Sequence, residues 1–122
     1  MHRLFRAFIN SCRGFRAAAR TEEAIRQELL VLAVALPAAF VLAQDAWKRL
    51  ALVGVLLLLL VVELLNTAIE KLADRVSPED DLLIGRIKDM SSAAVGLAIL
   101  LAAVIWTVAF AEMAWSHLSG VG

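Results

Sequence analysis

Within VVELLNTAIEKLADR, seven polar residues interrupt the apolar run, and five of them are Glu63, Asn66, Thr67, Glu70 and Asp74. These five fall at i, i+3, i+4, i+7 and i+11, so on a helix they share one stripe. Along such a helix Glu63 lies about 10 Å from Glu70, at 1.5 Å rise per residue. A carboxyl at bilayer depth costs on the order of 2.5–3.5 kcal/mol, so it needs a partner or a task. Two readings are open. Glu63 is a neutral, hydrogen-bonded residue that cements helices together, or it is a carboxyl held away from bulk water that takes a proton from an alcohol. Two carboxylates and an amide at helical spacing favour the second.

Two further polar groups flank this stripe in the chain. In DRVSPEDDLLIGRIKDMSSAAV, Pro78 is expected to end the helix, and Glu79, Asp80 and Asp81 follow as consecutive carboxylates. Gly85 punctuates, and Lys88, Asp89, Ser91 and Ser92 lead into the next apolar run. An Asp or Ser at that point serves first as a helix N-cap. Capping does not, however, require Lys88 beside Asp89. The third group is Glu22, Glu23, Arg26, Gln27 and Glu28, in which Glu22 and Arg26 are spaced to pair at i, i+4.

Hard carboxylate oxygens suit Mg²⁺, whose usual shell is one or two carboxylates completed by substrate phosphates and water. Arginines and lysines would balance the charge of a transferring phosphate. No GxxxxGK[ST] loop is present, because no glycine of this chain precedes a lysine. The glycine-loop and HRD signatures of protein kinases are also missing. The only histidines, His2 and His117, lie at opposite ends and exclude a His-based metal site or triad. From types and spacing alone, the reading is an interfacial carboxylate site suited to phosphoryl transfer.

The elements that must carry these residues are those of a membrane protein. Of 122 residues, 61% are hydrophobic, and the mean hydropathy is +0.80. Soluble domains use roughly 45–50% apolar residues, and one this short could not hide the excess. The chain is expected to be a single all-α membrane domain over 1–122. Apolar runs at 29–43, 50–69 and 93–111 predict transmembrane helices over about 27–47, 50–70 and 91–112, with a loop at 71–90. The first run is the shortest and contains Pro37, which a membrane bundle tolerates. The single Cys12 cannot form an internal disulfide.

Formal net charge is zero, but residues 1–20 carry five arginines and no acid. With the amino end in the cytoplasm, ten Lys and Arg fall inside and two, Lys48 and Arg49, outside. Residues 3–20 place Leu4, Phe5, Phe8, Cys12 and Phe15 on one helical side, with Arg3, Arg6, Arg13 and Arg20 broadly opposite. That pattern predicts an amphipathic helix in the headgroup layer. All three polar groups then converge on the cytoplasmic interface.

ELLNTAIE, followed by Asp74-Arg75 and then KDMSSAAV, resembles the prokaryotic diacylglycerol kinase family, as do Arg13-Gly-Phe-Arg16-Ala-Ala and Glu22-Glu-Ala-Ile-Arg26-Gln27-Glu28. The resemblance runs over about residues 3–110. It implies a homotrimer in the bacterial inner membrane, with active sites shared between subunits. The implied reaction is MgATP-dependent phosphorylation of diacylglycerol to phosphatidic acid, with no nucleic-acid partner. By position, Glu63 would be the catalytic base and Asn66 would help orient it. Glu22 and Glu70 would hold Mg²⁺. Arg3, Asn10, Glu79, Asp80, Asp81, Lys88 and Asp89 would contact ATP, together with Glu22 and Glu70. Arg3, Arg16, Ala24, Ile25, Arg26, Gln27, Glu28, Ser92 and Trp106 would border the lipid. The chain departs from the family pattern at Asn10, Asp81 and Leu82, all on the nucleotide side. The alternatives are an undecaprenol kinase on the same fold and a non-enzymatic membrane subunit.

Overall fold

The computed structural model describes residues 1–77 and 81–120. Among these, four helices follow one another: α1 His2–Thr21, α2 Glu23–Leu42, α3 Ala46–Val76 and α4 Leu82–Leu118. The last three are each long and apolar enough to cross a membrane. Most of their large apolar side chains are uncovered, Leu57, Leu58, Val61, Leu100 and Val104 among them. For a chain whose solvent is lipid this carries no hydrophobic penalty.

The helices run past the expected spans. At 1.5 Å per residue α3 is about 46 Å long and α4 about 56 Å, against a hydrocarbon core of about 30 Å. The expected 71–90 loop is therefore mostly helix: 71–76 complete α3, and 82–90 open α4. Leaving an apolar zone does not end a helix; only a cap or a breaker does. Asp81 is the cap of α4, its Oδ1 accepting from the Leu83 and Ile84 N–H groups at 2.8 and 3.2 Å. Asp89, Ser91 and Ser92 thus sit inside a helix, not at its start, and Gly85 is helical too. Pro78 lies outside the described residues.

The first span also ends earlier than expected. α2 stops at Leu42, and the chain turns through residues 43–45. Asp45 then caps α3, its Oδ2 accepting from the Lys48 N–H at 3.2 Å. Lys48 and Arg49 consequently belong to the first turn of α3 rather than to a loop. α2 reaches its 20 residues by starting at Glu23, so its polar first turn provides the length the apolar run lacks.

α3 and α4 form an antiparallel hairpin. As position rises along α3 it falls along α4, through Lys48–Glu112, Leu52–Trp106, Asn66–Ser91 and Asp74–Lys88. α2 packs chiefly on α3, and α1 touches mainly α2. Ala39, Ala43 and Leu52 form one buried cluster, with Ile105 and Trp106 laid against it. Alanine at such contacts lets helix backbones approach closely.

A single extended residue, Glu22, separates α1 from α2. Arg26 does not pair with Glu22. Its Nη1 donates to the Ala19 and Arg20 carbonyls at 3.0 and 2.9 Å. The last carbonyls of a helix lack helical partners and carry partial negative charge, so they attract the guanidinium. Glu22 is left to bond elsewhere.

Candidate functional site

The α1–α2 junction, the last turns of α3 and the first turns of α4 meet at one end of the bundle. Helical spacing brings Glu63, Asn66 and Glu70 to one side of α3, and the antiparallel register of α4 sets Ser91 against Asn66. Ser91 is buried, and its hydroxyl donates to Asn66 Oδ1 at 2.6 Å. Asn66 Nδ2 in turn donates to Glu70 Oε1 at 3.3 Å. The amide is thus held at both ends, and it orients the Glu70 carboxylate.

Toward the bilayer side of this clamp, one carboxyl oxygen of Glu63 and one of Glu28 are buried without a hydrogen-bond partner among the described residues. The two groups come from α3 and α2 and lie close enough for Glu28 to feel the charge of Glu63; Glu63 also feels that of Glu70. Leaving a buried acceptor unmatched costs about 1–3 kcal/mol. A ligand that brings a donor, such as an alcohol hydroxyl, would relieve that cost.

Two ion pairs flank the clamp. Lys71 Nζ meets Glu22 Oε1 at 2.9 Å, joining the α1–α2 junction to α3 one residue beyond Glu70. Lys88 pairs with Asp74, joining α4 to α3. No group of three or more His, Cys, Asp or Glu that could hold a metal unaided occurs among the described residues. The donor set nevertheless fits a Mg²⁺ ion that arrives with phosphates, because such an ion needs only one or two carboxylates from protein. Glu22 and Glu70 are engaged through Oε1, Glu22 with Lys71 and Glu70 with Asn66.

The remaining expected residues divide by place. Arg3, Asn10 and Arg16 are exposed along α1, and Ala24, Arg26, Gln27, Asp89 and Ser92 are exposed around the junction and on α4. Ile25 is fully buried. Asp81 caps α4, and Glu79 and Asp80 lie outside the described residues. Trp106 sits at the other end: its indole donates to the Leu52 carbonyl at 3.1 Å, about 16 Å along α3 from Glu63. Ser91 and Lys71 were not among the expected site residues. The signal for Ser91 was a hydroxyl before a run of small residues; for Lys71, an unmatched lysine beside Glu70.

The prokaryotic diacylglycerol kinase family model matches residues 9–110. The diacylglycerol kinase of Escherichia coli (strain K12) is 41% identical over 115 residues, covering 94% of this chain and 91% of the relative. That of Pseudomonas aeruginosa is 43% identical over 106 residues, covering 87% and 86%. The Haemophilus influenzae diacylglycerol kinase is 32% identical over 96 residues, covering 79% and 81%.

Proposed function

Because this chain belongs to the prokaryotic diacylglycerol kinase family, we propose that it transfers the γ-phosphoryl group of ATP to the hydroxyl of diacylglycerol, releasing phosphatidic acid and ADP. The observation that carries the reading is the pair of unmatched carboxyl oxygens of Glu63 and Glu28 beside a clamped Asn66. The lipid hydroxyl donates to Glu63, which accepts its proton as the oxygen attacks the γ-phosphorus. The Asn66–Ser91 bond fixes the amide, and the amide holds Glu70. Mg²⁺, held by Glu22 and Glu70 together with the nucleotide phosphates, supplies charge neutralisation when bound. Phosphoryl transfer asks mainly for positioning and charge stabilisation, and this site offers both.

Arg3, Asn10, Asp81, Lys88 and Asp89, with Glu79 and Asp80, are assigned to the nucleotide, and Arg3, Arg16, Ala24, Ile25, Arg26, Gln27, Glu28 and Ser92 to the lipid. Trp106 sits at a depth an acyl chain reaches and the hydroxyl does not. α1 leaves Leu4, Phe5 and Phe8 exposed, which supports a place in the headgroup layer with its arginines near anionic phosphates. The distribution of Lys and Arg supports a cytoplasmic amino end in the bacterial inner membrane. A homotrimer with shared sites accords with the family.

The test is ATP-dependent phosphorylation of dioleoylglycerol and undecaprenol side by side in mixed micelles, with Glu63→Gln as control. Phosphatidic acid made by the wild type and lost in the variant is expected. A preference for undecaprenol would keep the mechanism and change the substrate. No phosphorylation of either lipid by folded protein would make Glu63 a helix-cementing residue.

A further inference from the structure

The end of the bundle remote from the carboxylate site holds a cleft of about 650 Å³ between α2, α3 and α4. Its walls and its mouth differ sharply. Leu42, Leu52, Val104, Ile105 and Val108 line the walls, whereas Asp45, Lys48, Glu112 and His117 stand at the mouth. From Glu112 to Val104 the cleft descends about 12 Å along α4. Val104 and Val108 stay half exposed, so the cleft is an open apolar groove with charges at one end, a profile that suits an amphiphile. A water-soluble ligand would find no partner on the walls, and a plain hydrocarbon would leave the rim unused.

The rim also indicates what kind of headgroup it suits. Lys48 and Glu112 form an ion pair at 3.2 Å, with side chains 55% and 56% exposed. An exposed pair of this kind contributes little by itself and is easily exchanged. Its two charges sit side by side as a neutral dipole, complementary to a headgroup that is itself neutral and dipolar. Asp45 adds a second carboxylate beside Lys48, so a group with N–H donors has two acceptors to choose from. A purely anionic head would meet Lys48 together with two repelling carboxylates.

We propose that this cleft binds a zwitterionic phospholipid whose headgroup carries a phosphate and a primary ammonium, with one acyl chain along the Leu52–Val108 wall. The phosphate pairs with Lys48 and the ammonium with Glu112, replacing one exposed intramolecular ion pair by two charge-matched contacts. This assignment does not depend on the kinase reaction, and none of the residues lining the cleft belongs to the carboxylate site.

All three tryptophans of the chain, Trp47, Trp106 and Trp115, lie toward this end, with Trp47 and Trp115 exposed. Quenching of their fluorescence therefore reports on lipid here. Full-length protein in dodecylmaltoside micelles would be titrated with brominated phosphatidylethanolamine, phosphatidylglycerol or phosphatidylcholine. The first is expected to reach half-maximal quenching at a mole fraction about threefold lower than the other two. Lys48→Ala, which leaves Asp45 and Glu112 without their cation, should weaken quenching by all three lipids, that by phosphatidylglycerol most. Glu112→Ala, which leaves Lys48 without its carboxylate, should invert the order in favour of phosphatidylglycerol, an outcome that misfolding cannot imitate. Coincident curves for the wild type, meaning annular lipid only, would overturn the proposal. So would uniformly weak quenching accompanied by chain-to-chain cross-links through Lys48, which would assign the cleft to a second copy.

Discussion

Glu63 and Asn66 carry the clearest consequences for single residues. Glu63→Gln keeps the shape of the side chain and removes the base, so turnover should fall by about 10²–10⁴-fold while far-UV circular dichroism stays unchanged. Ser91→Ala releases one end of the Asn66 amide without touching either substrate. Its expected signature is a drop in kcat of about tenfold with the ATP and lipid KM values held, measured in the same micelle assay. Glu22→Ala and Glu70→Ala should each raise the Mg²⁺ concentration needed for half-maximal rate, and added Mg²⁺ should restore part of the activity. Wild-type Mg²⁺ curves in both variants would remove the metal assignment. The Glu63–Asn66–Glu70 spacing was visible in the sequence because helical periodicity reports which residues share a face. The partners were not, since Ser91 meets Asn66 only through the register between α3 and α4, and Glu22 meets Lys71 only through the packing of the α1–α2 junction on α3.

At the scale of the helices, the three spans could be recognised from apolar runs, whereas their ends could not. Hydropathy says where lipid ends; capping says where helix ends, and in α3 and α4 the two differ by about one to three turns at each end. Asp81 was one of several carboxylates in a row, and nothing in composition marked it as the one that caps α4. Asp81→Ala should cost about 0.5–2 kcal/mol locally. Hydrogen exchange at the Leu83 and Ile84 amides would accelerate, with exchange in the middle of α4 unaltered; equal protection in both proteins would mean that the cap is dispensable. The Arg26 bonds to the end of α1 illustrate the same limit: i, i+4 spacing suggested a pair with Glu22, and two helix-terminal carbonyls outcompeted it.

For the molecule as a whole, orientation is open to direct measurement through a cysteine on the arginine side of α1, as in Arg13→Cys combined with Cys12→Ser, because Cys12 itself shares the apolar side. A membrane-impermeant maleimide should label the introduced cysteine in inverted inner-membrane vesicles and not in intact spheroplasts; the reverse pattern would turn the molecule over. The contacts that join α3 to α4 bear on a different property of the whole. Lys48–Glu112, Leu52–Trp106, Asn66–Ser91 and Asp74–Lys88 are spaced along most of the hairpin like rungs of a ladder. Sliding one helix past the other by a single turn would break all four at once, while tilting the pair breaks none. A bilayer thinner or thicker than the helices must therefore be met by leaning of the hairpin as a unit. The distances around Asn66 then travel unchanged from one membrane thickness to another.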